Sequence, residues 1–153
     1  AEAQIIAILN EDNRGNSVDN DGNSIPSEPI GQGSSYSAIP AGSESKLLYF
    51  PQVPNQVDGV FSGGFFFSNV SGDDGFCEIH FTGVPAAKID DFDVLANESK
   101  SYYAPDIANL PTGFNASVKV ACNIEVIGIQ NFAAAPDSGA HGDSFTQNNA
   151  FNE

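Results

Sequence analysis

The segment 12–24 is rich in Asn, Asp and Gly, the residue types best suited to bind a metal ion. Calcium takes about six to eight oxygen ligands, and a glycine usually allows the tight bend of the binding loop. With Ser17 at the first position of an EF-hand-like loop, three carboxylates fall at ligand positions, but no flanking helices are predicted. A solvated turn would use the same residue types, so a looser calcium site is one of two interpretations. Its candidate ligands are Asp12, Asp19, Asp21 and Glu28.

A second acidic group consists of Asp90, Asp91 and Asp93, with Glu98 close in sequence. Two carboxylates about 5–10 Å apart across a cleft can hydrolyse a glycosidic bond, so a carboxylate-based hydrolase is one hypothesis. On a strand, Asp91 and Asp93 project to the same face. A solvated outer face is the simpler interpretation.

The two histidines could contribute to a metal site, because Glu78 and His80 share one strand face and His141 and Asp143 follow later. No HxH or HExxH spacing supports such a site, and ordinary surface histidines explain the same residues. A GxSxG nucleophile motif is also missing from the sequence. These observations favour a protein that is not an enzyme and leave catalysis open as the alternative.

Cys77 and Cys122 are the only cysteines, and each lies in a run of alternating apolar residues. Since successive side chains of a strand point to opposite faces, both sulfurs should point into an apolar layer. This pattern predicts one buried disulfide joining two strands. Such a bond closes a loop of about 45 residues and stabilises the fold by roughly 4 kcal/mol. It also indicates an oxidising compartment, so we expect a secreted, extracellular protein.

Short β-branched and aromatic runs separated by Gly and Pro predict an all-β protein. The expected fold is an antiparallel β-sandwich or flattened barrel of about six to eight short strands. Residues 4–132 should form the single domain, with a long loop at 10–45, and residues 133–153 should form a loosely ordered tail. The longest alternating run, 114–129, should be the spine of a sheet, and 57–81 reads as a hairpin.

The chain carries twenty acidic residues against five Lys and Arg, for a formal charge of −15. Because nucleic acids and anionic membranes are bound through clustered basic residues, neither is an expected partner. No apolar stretch approaches the ~18 residues needed to cross a membrane. Three glycosylation sequons, which begin at Asn69, Asn97 and Asn115, agree with secretion.

These observations favour a secreted, non-enzymatic interaction protein whose loops contact an extracellular protein or polysaccharide. A fungal effector or elicitor, or a cell-wall-associated protein, would fit this description. The alternative is a carbohydrate-binding module supported by calcium, and the third hypothesis is the carboxylate-based hydrolase. The identity of the ligand is not predicted.

Overall fold

The computed structural model describes residues 8–13, 32–37, 39–134 and 145–152, and most of these residues lie in β-strands. Two single turns of 3₁₀ helix, Pro85–Ala87 and Ala104–Asp106, interrupt the strands. The strands are β1 Ile8–Asn13, β2 Gln32–Ser37, β3 Ser45–Pro54, β4 Phe61–Asn69, β5 Gly75–Phe81, β6 Ile89–Val94, β7 Ser99–Tyr103, β8 Asn115–Ala134, β9 Phe145–Asn149 and β10 Phe151–Asn152. The predicted all-β class is confirmed.

Strand β8 is the spine of the main sheet, as the alternating run predicts. Its 20 residues pair with four other strands, all antiparallel. Along one edge of β8, from its N-terminal to its C-terminal end, β3 and then β9 pair with it. Along the other edge, β5 and then β4 pair with it in the same order. β6 and β7 extend the sheet beyond β5 and β4, and β10 extends it beyond β3. The result is a curled antiparallel sheet, or half-barrel.

The curl encloses an aromatic core. The ring centroid of Phe65 lies 4.9 Å from the ring centroid of Phe50 on β3 and 5.3 Å from that of Tyr102 on β7. Phe92 on β6 contacts Tyr102 at 6.1 Å between ring centroids, although β6 and β7 are not paired with each other. The inward residues of β8, Val118, Val120, Ile124 and Val126, form the floor of this core. Curling therefore buries apolar surface that a flat sheet would expose to water.

The predicted hairpin at 57–81 is wrong. β4 and β5 do not pair with each other, because both lie on the same edge of β8 and continue in the same direction. Between them, Val70 N donates to Glu125 O at 3.1 Å, and Phe76 N donates to the side-chain Oδ1 of Asn123 at 2.8 Å. These contacts hold both ends of the turn against β8.

The structure also differs from the sequence expectation at both ends of the chain. The predicted loop at 10–45 includes β2 and most of β1, which pair antiparallel as a separate two-stranded sheet. The predicted tail at 133–153 includes β9, which pairs with β8, and β10, which pairs with β3. Residues 1–7, 14–31, 38, 135–144 and 153 lie outside the described part of the chain.

Candidate functional site

The two cysteines face each other across β5 and β8. Cys77 and Cys122 are direct cross-strand partners with Cα atoms 4.1 Å apart, and they form a disulfide. Cys77 is fully buried beside Ile79, as the alternation predicts. Both sulfurs are used structurally, so no free thiol is present for nucleophilic catalysis.

Four residues on the outer face of the sheet form a continuous cross-strand line, which we call the outer row. Phe151 on β10 is opposite Tyr49 on β3, Tyr49 is opposite Lys119 on β8, and Lys119 is opposite His80 on β5. Directly opposed residues of antiparallel strands point to the same face. The outer row therefore presents two aromatic rings, an ammonium group and an imidazole in sequence.

The side chains of the outer row differ in their exposure to solvent. Phe151 is 64% exposed, whereas Tyr49, Lys119 and His80 are half-buried. Within the described part of the chain, Lys119 lies in no ion pair. Its ammonium group is therefore open to other acceptors.

A network of charged residues flanks the His80 end of the outer row. Glu78 Oε1 lies 2.9 Å from His80 Nε2, and Glu78 Oε2 lies 2.8 Å from Lys88 Nζ, which also contacts Asp90 at 2.8 Å. Hydrogen bonds from Lys88, and then from His80, lower the pKa of Glu78 to about 2. Contacts with Asp90 and Glu78 raise the pKa of Lys88. Glu78 is therefore held as a carboxylate.

The predicted acidic group does not come together as a site. Asp91 and Asp93 are exposed on the outer side of β6, as alternation predicts, and Asp90 is engaged by Lys88. Glu98 instead closes the turn before β7, where its Oε2 accepts from Leu95 N at 2.8 Å. Among the residues the structure describes, no three His, Cys, Asp or Glu are arranged to hold a metal.

The metal candidates elsewhere are mostly outside the described residues. Asp12 lies in β1, but Asp19, Asp21 and Glu28 fall within residues 14–31. His141 and Asp143 likewise fall within residues 135–144, so their pairing with Glu78 and His80 is also untested. The calcium and histidine sites stay predictions.

The adjacent tyrosines of β7, Tyr102 and Tyr103, point to opposite sides of the sheet, as successive residues of a strand do. Tyr102 stacks on Phe65 in the core, and burial, followed by the nearby Glu98 carboxylate, raises the pKa of its hydroxyl. Tyr103 points outward and is 51% exposed. Tyr102 is thus a core residue, and Tyr49 and Tyr103 are surface tyrosines.

The three sequon asparagines have different environments. Asn69 is 1% exposed, and its Nδ2 donates to Asp73 O at 2.8 Å and to Leu95 O at 3.0 Å. A glycan on Nδ2 is incompatible with this arrangement, so Asn69 is a structural residue. Asn97 and Asn115 are exposed and stay predicted glycosylation sites.

The sequence alone does not indicate that the four residues of the outer row lie side by side. The alternation of β8 already implies that Lys119 faces outward, opposite to Val118 and Val120. The register that brings Tyr49 and Phe151 beside it could not be read from local patterns, because it depends on pairing between distant strands.

Fold and site together define an all-β protein with a curled antiparallel sheet, a cross-strand disulfide and a mixed aromatic and basic outer row. No helix in the described part of the chain is long and apolar enough to span a membrane. No family model and no curated protein matches the sequence. The crystal structure of Thermotoga maritima 1070 has a similar fold, with a TM-score of 0.53 and 11% sequence identity over 71% of this chain and 95% of that chain.

Proposed function

We propose that this protein is a non-enzymatic, extracellular binding protein that holds a neutral polysaccharide along the outer row. The proposal rests on the opposition of Phe151, Tyr49, Lys119 and His80 across four neighbouring strands. Three inter-strand spacings of about 4.8 Å give the row a length of about 14 Å, which suits an extended ligand. The described residues offer this surface on paired strands rather than on loops.

The chemistry of the outer row suits sugar rings. The aromatic rings of Phe151 and Tyr49 provide apolar faces against which the apolar side of a sugar ring can pack. The Lys119 ammonium group provides N–H donors for sugar hydroxyls, and His80, whose Nε2 contacts Glu78, has Nδ1 left for a hydrogen bond. A neutral polymer fits better than an acidic one, because a net charge of −15 repels polyanions at long range.

Two observations support an extracellular location. The cross-strand disulfide between Cys77 and Cys122 is a bond that persists in oxidising environments. The sequons at Asn97 and Asn115 are exposed, as glycosylation would require. Asn115 accepts a hydrogen bond from Gln52, on the strand that also carries Tyr49. A glycan there would lie on the same sheet as the outer row.

A binding assay with insoluble cellulose, chitin and β-1,3-glucan tests the proposal. We expect the wild-type protein to be retained on at least one polymer. Tyr49→Ala and Phe151→Ala should each weaken retention about 5- to 30-fold, which corresponds to the loss of about 1–2 kcal/mol at a binding hot spot. Tyr103→Ala is the matched control, because Tyr103 is exposed on β7 and lies outside the outer row.

Two results would reject the proposal. The first is a failure of the wild-type protein to bind any of the polymers. The second is equal retention of the Tyr49→Ala/Phe151→Ala double variant and the Tyr103→Ala control, after unfolding curves show that all variants are folded.

A further inference from the structure

A separate groove of about 270 Å³ opens on the outer face, where β4 ends beside the middle of β8. Three aliphatic side chains line it, Ile39, Val70 and Ile127, and two carboxylates, Glu44 and Glu125, lie at the same groove. Val70 is 43% exposed, so its side chain is accessible to a ligand in the groove. The groove is thus apolar with an acidic rim.

The walls of the groove are fixed by hydrogen bonds. On one side, Val70 N donates to Glu125 O at 3.1 Å, which ties the end of β4 to β8. On the other side, the turn before β3 is closed by Ser43 N donating to Pro40 O at 3.2 Å. Gly42 N donates to Glu44 Oε2 at 2.8 Å and so orients that carboxylate. Such a preformed cavity loses little conformational freedom when it binds a ligand.

Within the described part of the chain, the two carboxylates at the groove lie in no ion pair. None of the described residues that line the groove is Lys, Arg or His. The ion pairs found among residues 39–134 involve His80, Lys88 and Lys100, which lie elsewhere on the sheet. Neither Glu44 nor Glu125 is in an ion pair with these groups. The high net negative charge of the whole chain would further concentrate cations near this surface.

We infer that the groove binds a small aliphatic amine in its protonated form. The alkyl chain would cover Ile39, Val70 and Ile127, and the ammonium group would contact Glu44 and Glu125. The volume is close to the lower limit of about 300 Å³ for small-molecule sites, so the ligand is a small free amine. Calcium fits less well, because two carboxylates supply fewer oxygen ligands than the ion takes. This inference is independent of the outer row and of polysaccharide binding.

Titration of the full-length ¹⁵N-labelled protein with n-pentylammonium chloride at constant ionic strength tests the inference by NMR. The amide signals of Gly42, Val70 and Ile127 should shift and saturate. n-Pentanol has the same alkyl chain without the charge, and calcium chloride provides charge without the alkyl chain. Both should shift these signals less at equal concentration, because each lacks one of the two interactions.

Substitutions at the rim should weaken amine binding without removing the groove. Glu125→Gln and Glu44→Gln should each weaken it about 2- to 5-fold, the range typical of exposed ion pairs. The glutamine at position 44 can still accept from Gly42 N, so the turn is retained. Asp91→Asn is the matched control, since it removes one exposed carboxylate on β6 and should leave binding within 2-fold of wild type.

The inference is wrong if the groove signals do not respond to the amine, or if calcium shifts them equally. It is also wrong if Asp91→Asn weakens binding as much as Glu125→Gln, because attraction would then be a property of the whole surface. Preferential binding of Nα-acetyl-lysine methylamide over the free amine would overturn the assignment to a small molecule and indicate a lysine of a partner protein.

Discussion

Replacing Asn69 by aspartate should destabilise the fold strongly, although the two side chains differ only by one nitrogen and one oxygen. Asn69 is 1% exposed at the end of β4. Its Nδ2 donates to the carbonyl oxygens of Asp73 and Leu95, and its Oδ1 accepts from Ser71 N at 2.9 Å. One amide thus joins the β4–β5 turn to the β6–β7 turn. Aspartate would place a carboxylate oxygen against two carbonyl oxygens.

The magnitude follows from the hydrogen bonds that are lost. Each of the two Nδ2 bonds contributes about 1 kcal/mol, and burying the charged oxygen without a donor adds about 1–3 kcal/mol. The free energy of unfolding should therefore fall by about 3–5 kcal/mol, a large part of the roughly 5–15 kcal/mol typical of a domain. At about 2–4 °C per kcal/mol, the melting temperature should fall by about 6–20 °C.

Urea unfolding of Asn69→Asp at pH 7 measures this loss, and Asn97→Asp is the control. Asn97 also begins a sequon but is exposed, so its substitution should change stability by no more than about 0.5 kcal/mol. Equal stability of the two variants would refute the structural role of Asn69. Mass spectrometry that finds a glycan on Asn69 of the folded protein, expressed through a secretory pathway, would refute it independently.

Three further predictions concern packing, charge and calcium. Gly128→Ala should lower the free energy of unfolding, measured in urea, by about 1–3 kcal/mol, because the added Cβ would lie 2.7 Å from Cζ of the fully buried Phe50. An unchanged free energy would show that this ring can move. The pKa of Glu78 is lowered in the folded state, so its contact with Lys88 should stabilise the protein above about pH 4.5 and lose this effect as the pH falls towards about 2. The stability difference between wild type and Glu78→Gln should shrink over that range, and a constant difference would contradict the shift. Calcium at 100 times its Kd should stabilise the protein by about 2.7 kcal/mol relative to EDTA if the 12–28 segment binds it, and identical melts would exclude that site.

The sequence predicted those features that depend on alternation within one strand. The inward direction of Cys77 and Cys122, the central place of β8 in the sheet and the shared outward face of Asp91 and Asp93 all follow from the two-residue period. The disulfide then fixes the register of β5 against β8, because its two cysteines must be opposite each other. Local patterns and one covalent constraint were sufficient for this part of the fold.

The sequence did not predict which strands pair with each other where the pairing depends on residues distant in the chain. The β4–β5 segment looks like a hairpin because two strand-like runs flank a Gly- and Asp-rich turn. In the structure β8 is long enough to pair with both strands, and Asn69 holds the turn so that they stay on one edge. Asn69 also matches the glycosylation sequon although it is buried, because the sequence pattern carries no information on burial. The outer row was missed for a related reason, since Phe151 lies in a segment with the composition of a tail.

The outer row and the groove should act independently, although both use the outward residues of β8. Lys119 belongs to the outer row, and Ile127 lies eight positions further along, a distance of about 26 Å in an extended strand. Substitutions separated by more than about 7–10 Å and without shared partners have additive effects. Tyr49→Ala should therefore leave the affinity for n-pentylammonium unchanged within 2-fold, and Glu125→Gln should leave polysaccharide retention unchanged. A larger effect of either substitution on the other ligand, measured also in the double variant, would mean that the two surfaces form one extended site. Coupling between separate sites needs an element with two arrangements, and paired strands with a fixed register have only one.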